Sequence, residues 1–499
     1  MIKKQIQEDK RNFVILILYV ILLLFFCSKM SPLYPINEWA DVNLYFNIGK
    51  AIFHGQVPYV DVFDHKGPLI FFIYGVGYML SNTSFLGMYF IQCLLWILMV
   101  SAAYLTAKLY LDKIYALFAA MLLPALMLSH TLNGGSADEF ITVFEVISLY
   151  LFILYFKDRS VAEHKPVHMF MHGLLCAMTL FIKINLIAFW VFPLLFIFIN
   201  IIQQKKYRNL LENAIAFLLG LSIIALPILL YFIFNNALQD AWDTYIVLNK
   251  SYSKPGSIGE ILERLFSYLY QQIRYGNFEF IIILIGAIWF PLKYIENRLG
   301  KVAIILSFAA TYTAIFISSY YIDYYSVPLY TFILLGCIVI CRYIKVPSPS
   351  WKYYALFIIL ALYMGIQQRK FFGMDFSELS GKKENSFDIS KFSQIVEQEK
   401  NPTLMNLGLD LGNSVFTQAD VIPNVKYFIS PNLEYDMYPV MRDEQTKYIE
   451  QRKVQFIILA EIALNFSYFS QLPALRENYE VVSVIGNEGG RYYLYKLKQ

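Results

Sequence analysis

Residues 214–234 read AIAFLLGLSIIALPILLYFIF, an apolar run with no charged side chain. Wound as an α-helix at about 1.5 Å per residue, such a run spans the roughly 30 Å hydrocarbon core of a bilayer. Similar blocks recur on both sides of it. The chain has 499 residues, of which 58% are hydrophobic and 16% charged, with a mean hydropathy of +0.50. A soluble domain carries about 25% charged residues, and here the deficit sits in the apolar blocks rather than being spread evenly. The fold class that follows is a polytopic α-helical membrane protein. The net charge of +4 is small and scattered, which argues against a nucleic-acid partner.

Lys3, Lys4, Lys10 and Arg11 precede a first apolar run at 13–28. No small-x-small cleavage site follows, so the run reads as an uncleaved span with a cytoplasmic N-terminus. Further spans are expected at 85–107, 114–130, 140–156, 169–182, 186–202, 214–234, 278–292, 302–319, 324–341 and 353–367, about eleven in all. The run at 68–80 is too short to cross and is read as an interfacial helix on the outer side. That choice puts Lys108 and Lys113, Lys157, Arg159 and Lys165, Lys205, Lys206 and Arg208, and Lys293, Arg298 and Lys301 on the cytoplasmic side. Counting 68–80 as a span would invert every one of these basic loops. The transmembrane domain is thus expected over 1–368, with a first outer loop at 29–67, an outer loop at 235–277 and a soluble extracytoplasmic domain at 369–499. The last region is polar, with strand-like runs at 403–407, 454–459, 481–485 and 492–497 and helical stretches between them, as in a small α/β domain. Its many tyrosines and lack of a clustered nucleophile and base suit an accessory role.

The five cysteines all lie in apolar blocks, where packing is their expected role. His164, His168 and His172 fall four apart on the cytoplasmic side and read as loop residues. Under this topology the ionisable groups at outer membrane level are Asp41, Asp61, Asp64, His65 and Lys66 in the first loop, Asp138 and Glu139 in a short second loop, Lys183 at an outer turn, and Asp323 at the start of a span. Ionisable groups at such depth are expensive and mark function. Carboxylates beside fixed cations suit transfer of a group off a phosphate, the acids handling protons and the cations holding the leaving phosphate.

Each residue also has a structural reading. Asp41 precedes a helical pattern and could be its N-cap. Asp61 and Asp64 sit in a turn-rich stretch. Lys66 and Lys183 could be interfacial anchors, and Asp138 and Glu139 a first-turn acidic pair. Their collection on one side of the membrane favours function.

The segments Asp41-Val-Asn-Leu-Tyr45 and Gly55-Gln-Val-Pro-Tyr59-Val-Asp61-Val-Phe-Asp64-His-Lys66-Gly-Pro68-Leu69 resemble the first outer loop of bacterial GT-C glycosyltransferases, relatives of protein O-mannosyltransferases and of the aminoarabinose transferase that modifies lipid A. Asn133-Gly-Gly-Ser-Ala-Asp138-Glu139-Phe and Tyr320-Tyr321-Ile-Asp323-Tyr-Tyr-Ser-Val-Pro328 support the resemblance. It implies a polyprenyl-phosphate-linked sugar donor, a cell-envelope glycan, lipid or protein acceptor on the outer face, and inverting transfer. Asp41 matches the proposed general base and Lys66 a basic residue at the lipid phosphate, with Lys183 a second cation for it. Asp61, Asp64, Asp138 and Glu139 become acid, metal or acceptor contacts, and His65, Tyr321 and Asp323 outer-loop pocket residues. The family often carries His at the position of Asp323. Some members hold a divalent metal among the acids and others work without one, so a metal cofactor stays open. Two other classes remain: a transporter or flippase of lipid-linked glycans, and a catalytically silent assembly factor. A flippase would carry charges in mid-span, where this chain has little besides Glu145.

Overall fold

The computed structural model describes residues 2–34, 36–159, 163–275, 278–344, 350–368, 388–408, 410–429, 433, 435–487 and 490–499. The chain divides into two compact units. One comprises Met1–Ser28, Gln92–Leu229 and Ser253–Lys370, and the other Lys29–Ile91, Leu230–Tyr252 and Phe371–Gln499.

Among the described residues seven helices are long and apolar enough to cross a membrane: Asp9–Cys27, Leu86–Lys108, Ala137–Phe156, Ile184–Gln203, Tyr207–Phe234, Arg298–Phe316 and Asp323–Cys341. A bent pair, Ile258–Arg274 and Phe278–Tyr294, makes an eighth if counted as one span. The expectation of about eleven therefore exceeds what length supports. Helices Lys113–Met127, Pro166–Leu180 and Trp351–Gln367 stand where spans were expected but are shorter than a straight crossing needs. On Tyr207–Phe234 the side chains of Leu218, Leu226 and Phe234 are more than half exposed, a surface that only lipid can cover favourably. Where helices meet, small residues let backbones touch: a Cβ on Gly286 would lie 2.0 Å from the carbonyl oxygen of Phe332, and one on Gly336 would lie 2.1 Å from that of Ile282.

The 235–277 loop expected from the sequence is largely helical. It holds Leu238–Trp242, a π-helical turn Asp243–Leu248, Asn249–Ser253 and the long helix Ile258–Arg274. The histidines also depart from expectation. His168 and His172 lie in helix Pro166–Leu180, where His172 is buried and stacks on Phe152 at 4.1 Å, and buried His164 pairs with Asn213 at 2.7 Å.

In the second unit the four expected strands form one sheet: β1 Leu404–Asn406, β2 Phe456–Ala460, β3 Tyr479–Asn487 and β4 Gly490–Leu497. Their order is β1-β2-β4-β3, with β1 and β2 parallel and the other pairs antiparallel. Strand β2 (FIILA) is wholly buried, as a continuous apolar run between flanking strands should be. The protein is thus a polytopic α-helical membrane protein with a small C-terminal α/β region. In the same unit the first-loop sequence forms helix Ala40–Phe53, and the short run after it forms the expected helix Pro68–Leu80. They approach so closely at Gly49 and Gly75 that a Cβ on Gly49 would sit 2.4 Å from the Gly75 nitrogen.

Candidate active site

In the second unit, Asp41 stands in the first turn of helix Ala40–Phe53, but the N-cap position is Trp39. The N-cap reading of Asp41 is therefore replaced. Its Oδ2 accepts the Tyr45 hydroxyl at 3.3 Å, and the Lys66 ammonium stands 4.0 Å away, too far for a hydrogen bond. Asp410, on helix Asp410–Gln418 of the C-terminal region, accepts the backbone N–H of Ala40 at this helix start and lies close to Asp41 and Glu38. Asp410 thus stands at the positive end of the helix, yet burial and the neighbouring Asp41 and Glu38 push its carboxyl up to about 6. No feature of the sequence near Asp41 pointed to Asp410.

Asp64 is almost fully buried, and its Oδ1 accepts the His65 N–H at 2.7 Å. Burial pushes its carboxyl up to about 6, with Lys66 pulling the other way and Asp41 adding to the rise. The backbone around it is fixed from both sides: the Tyr59 hydroxyl donates to the Lys66 carbonyl at 2.7 Å, and Asn249 donates to that of His65. The His65 ring packs on Tyr252 at 5.2 Å. Asp61 is exposed and accepts the Val57 N–H at 2.7 Å, the turn role open to it from the start.

Asp64 carries a stability prediction. Its folded value lies above the ordinary 3.8, so the folded state binds more protons between pH 4 and 6. Its contribution to stability is present below that window and is lost as pH rises through about 6. Asp64→Asn is expected to raise the melting temperature at pH 7.5, by the equivalent of ~1–3 kcal/mol, and to change it little at pH 4. A melting temperature unchanged or lowered at pH 7.5 would remove the strain assigned to this carboxylate.

The same unit holds a lysine that the sequence did not mark. Lys50, near the end of helix Ala40–Phe53, is wholly buried. It pairs with Asp420 at 2.9 Å and donates to the carbonyls of Phe416 and Val421 at 3.0 and 3.3 Å. Burial draws its ammonium down to about 8, against the opposing pull of Asp420. Asn43, one turn after Trp39, accepts from Thr417 at 3.3 Å. The helix that carries Asp41 is thereby tied to helix Asp410–Gln418 at three levels.

In the other unit, Asp138 is fully buried in the first turn of helix Ala137–Phe156, whose N-cap is Ser136. Lys183 donates to both of its oxygens, at 2.8 and 3.0 Å. The Tyr325 ring covers the same ammonium at 3.8 Å, a cation–π contact that sequence reading missed. Glu139 is engaged structurally: it accepts from Gln92, Trp96 and the Gly135 N–H at 2.6–2.7 Å. Asp323 is exposed at the start of the 3₁₀ segment Asp323–Leu329, and Tyr321 packs against Phe316 and Tyr268 at 5.0 and 5.1 Å. His130, Tyr330 and Ser129 form a further polar cluster, with His130 Nδ1 at 2.7 Å from both hydroxyls.

Among the described residues no three His, Cys, Asp or Glu side chains come together in a way that could hold a metal ion. The donor set does not fit one, since the cation beside each carboxylate cluster is a lysine ammonium.

With its membrane helices and C-terminal sheet, the chain is similar in fold to solved GT-C membrane proteins. It is similar to ArnT from Cupriavidus metallidurans, solved bound to undecaprenyl phosphate, at a TM-score of 0.64 and 13% identity over 97% of each chain. It is also similar to the archaeal oligosaccharyltransferase AglB from Archaeoglobus fulgidus, solved with an inhibitory peptide and a dolichol-phosphate. There the TM-score is 0.51 and the identity 13%, over 97% of this chain and 74% of that one. At such identity the likeness is one of fold. In sequence, residues 2–346 match the competence-induced protein Ccs4 N-terminal domain family, and the chain belongs to it. No curated protein matches the sequence.

Proposed function

We propose that this protein is an inverting glycosyltransferase that moves a sugar from a polyprenyl-phosphate donor to a cell-envelope glycan, lipid or protein on the outer face of the membrane. The observation that carries the reading is the Asp41–Lys66 arrangement. A carboxylate stands in the first turn of helix Ala40–Phe53, and an ammonium stands 4.0 Å from it without closing into a tight ion pair. In the proposed reaction Asp41 takes the proton of the acceptor hydroxyl as its oxygen attacks the anomeric carbon. The bond from that carbon to the phosphate oxygen breaks, and the leaving polyprenyl phosphate takes the electron pair. Lys66 neutralises the charge that develops there, and Lys183, set by Asp138 and Tyr325, keeps its proposed role as a phosphate-binding cation. Undecaprenyl phosphate in the ArnT structure and dolichol-phosphate in the AglB structure support the donor class. The C-terminal region is assigned an accessory role, since its helix Asp410–Gln418 braces the helix that bears Asp41.

The test is mass spectrometry of envelope glycans from cells with and without the gene. Loss of one sugar residue is expected, and an unchanged glycan profile together with no transfer by the purified protein would end the proposal. Lys66→Met is expected to lower turnover roughly 10- to 100-fold, the worth of one charge-assisted contact to a phosphate. It should leave expression normal, because the Asp41 left behind keeps access to water, with 22% of its side chain exposed. Unchanged turnover would make Lys66 an anchor only.

The outer-face orientation has its own check. A cysteine at exposed Asn424 should react with a membrane-impermeant thiol reagent in intact cells, and one at exposed Lys205 should not. The native cysteines, buried or half-buried, leave a low background. The reverse labelling would turn the proposed topology over.

A further inference from the structure

Helix Ile258–Arg274 has three faces where a surface helix has two. Its packed face holds Arg264, which donates to the Ile317 carbonyl, Leu265, whose carbonyl accepts the Tyr312 hydroxyl at 2.9 Å, and Tyr268, which meets Phe316 at 4.8 Å. A polar face carries Glu260, Glu263, Ser267, Gln271 and Arg274. Between them runs a bare apolar stripe: Ile258 is 77% exposed, Leu262 49%, Phe266 67%, Tyr270 53% and Ile273 52%. At about 100° per residue these five fall within one third of the circumference. The helix starts on a complete capping box, with the Ser257 side chain on the Glu260 N–H and the Glu260 side chain on the Ser257 N–H, so it is fixed locally rather than by burial.

Water is an unfavourable partner for five large apolar side chains in a row. We propose that this stripe is a lipid-binding surface, with the helix lying along the bilayer and the stripe sunk about 5–10 Å into the boundary of headgroups and acyl chains. Two observations select lipid over a protein partner. The axis of Ile258–Arg274 stands at 118° to that of the apolar helix Phe278–Tyr294 that follows it, so the two do not run as one straight span. The exposed apolar character also continues into that helix at Phe278, Ile281, Trp289 and Leu292, each about half exposed. Along the helix Glu260 and Glu263 are balanced by Arg264 and Arg274, so the seat depends on apolar burial and not on anionic lipid. The packed face gives the seat a consequence for the site. Tyr268 meets Tyr321 at 5.1 Å, Tyr321 meets Tyr325 at 6.5 Å, and Tyr325 covers Lys183.

The test is spin labelling of the full chain in phosphatidylcholine nanodiscs, with single labels at Leu262→Cys, Phe266→Cys, Glu263→Cys and Ser267→Cys. Labels at 262 and 266 are expected to relax several-fold more with oxygen than with a water-soluble nickel chelate, and those at 263 and 267 to show the reverse. Equal access of the nickel chelate to all four positions would show a solvated helix and overturn the proposal. Exclusion of both reagents from 262 and 266 would show a protein partner on the stripe, and would overturn it equally.

Discussion

Asp41→Asn protein, purified and assayed with a polyprenyl-phosphate sugar donor, is expected to transfer sugar about 10²–10⁴-fold more slowly than wild type, the typical contribution of a general base. The substitution is mild for the fold. An asparagine oxygen can still accept the Tyr45 hydroxyl, and the helix start keeps its cap because Ala40 N–H is bound by Asp410 and not by Asp41. Donor binding should survive, since the charge proposed to meet phosphate is that of Lys66. The measurement is initial transfer rate at equal folded protein, with donor affinity determined separately. Rates within a few-fold of wild type would remove Asp41 from the mechanism and pass the role to Asp64 or Asp138.

Lys183→Met is expected to act first on the fold. It strips the ammonium from a carboxylate with no exposed surface, whose two oxygens both receive it. Breaking a buried pair from one side costs about 3–5 kcal/mol, because the remaining charge is left buried without its counter-ion. The expected result is a large fall in melting temperature of the detergent-solubilised protein. Asp138→Asn combined with Lys183→Met should recover most of that loss, since no charge is then stranded. Activity is read on this stable double variant, where loss of transfer assigns the pair to the reaction and retained transfer assigns it to structure. A single variant as stable as wild type would show that the pair carries little energy.

The parts of the fold that sequence discloses are those written in local composition. Apolar blocks without charge identified the helices, and short β-branched and aromatic runs between polar turns located all four strands of the sheet. Fewer helices reach the length of a straight crossing than the sequence led one to expect, because apolarity says where lipid or core is preferred and not how long a helix runs: Lys113–Met127 is apolar almost throughout and has 15 residues. Helix Ile258–Arg274 was passed over as loop because glutamates, arginines and glutamines interrupt its apolar residues, so no continuous apolar block stands out. Its signals were a serine followed three residues later by a glutamate and a one-sided apolar period, both present in the sequence.

Among the candidate residues, Asp41 and Lys66 in one unit and Asp138 and Lys183 in the other were nameable because charges beside apolar blocks stand out. The pairing of Lys183 with Asp138 was not, since nothing in either segment encodes the other's position. Asp410 and Tyr325 were missed for related reasons. An aspartate in a polar region and one tyrosine among several carry no local mark, and only tertiary structure sets them beside Asp41 and Lys183.

The buried Lys50 also sets a schedule for making the protein. Its carbonyl partner Phe416 lies 366 residues further along the chain. At about 5–20 residues per second of synthesis, the lysine waits roughly 20–70 seconds before its partners exist. Throughout that interval helix Ala40–Phe53 carries an ammonium without the acceptors of its folded place, and the helix can close into that place only after they have emerged. The earliest loop to be made is thus among the last to mature, and a ribosome that stops short leaves a membrane-inserted chain without a finished site.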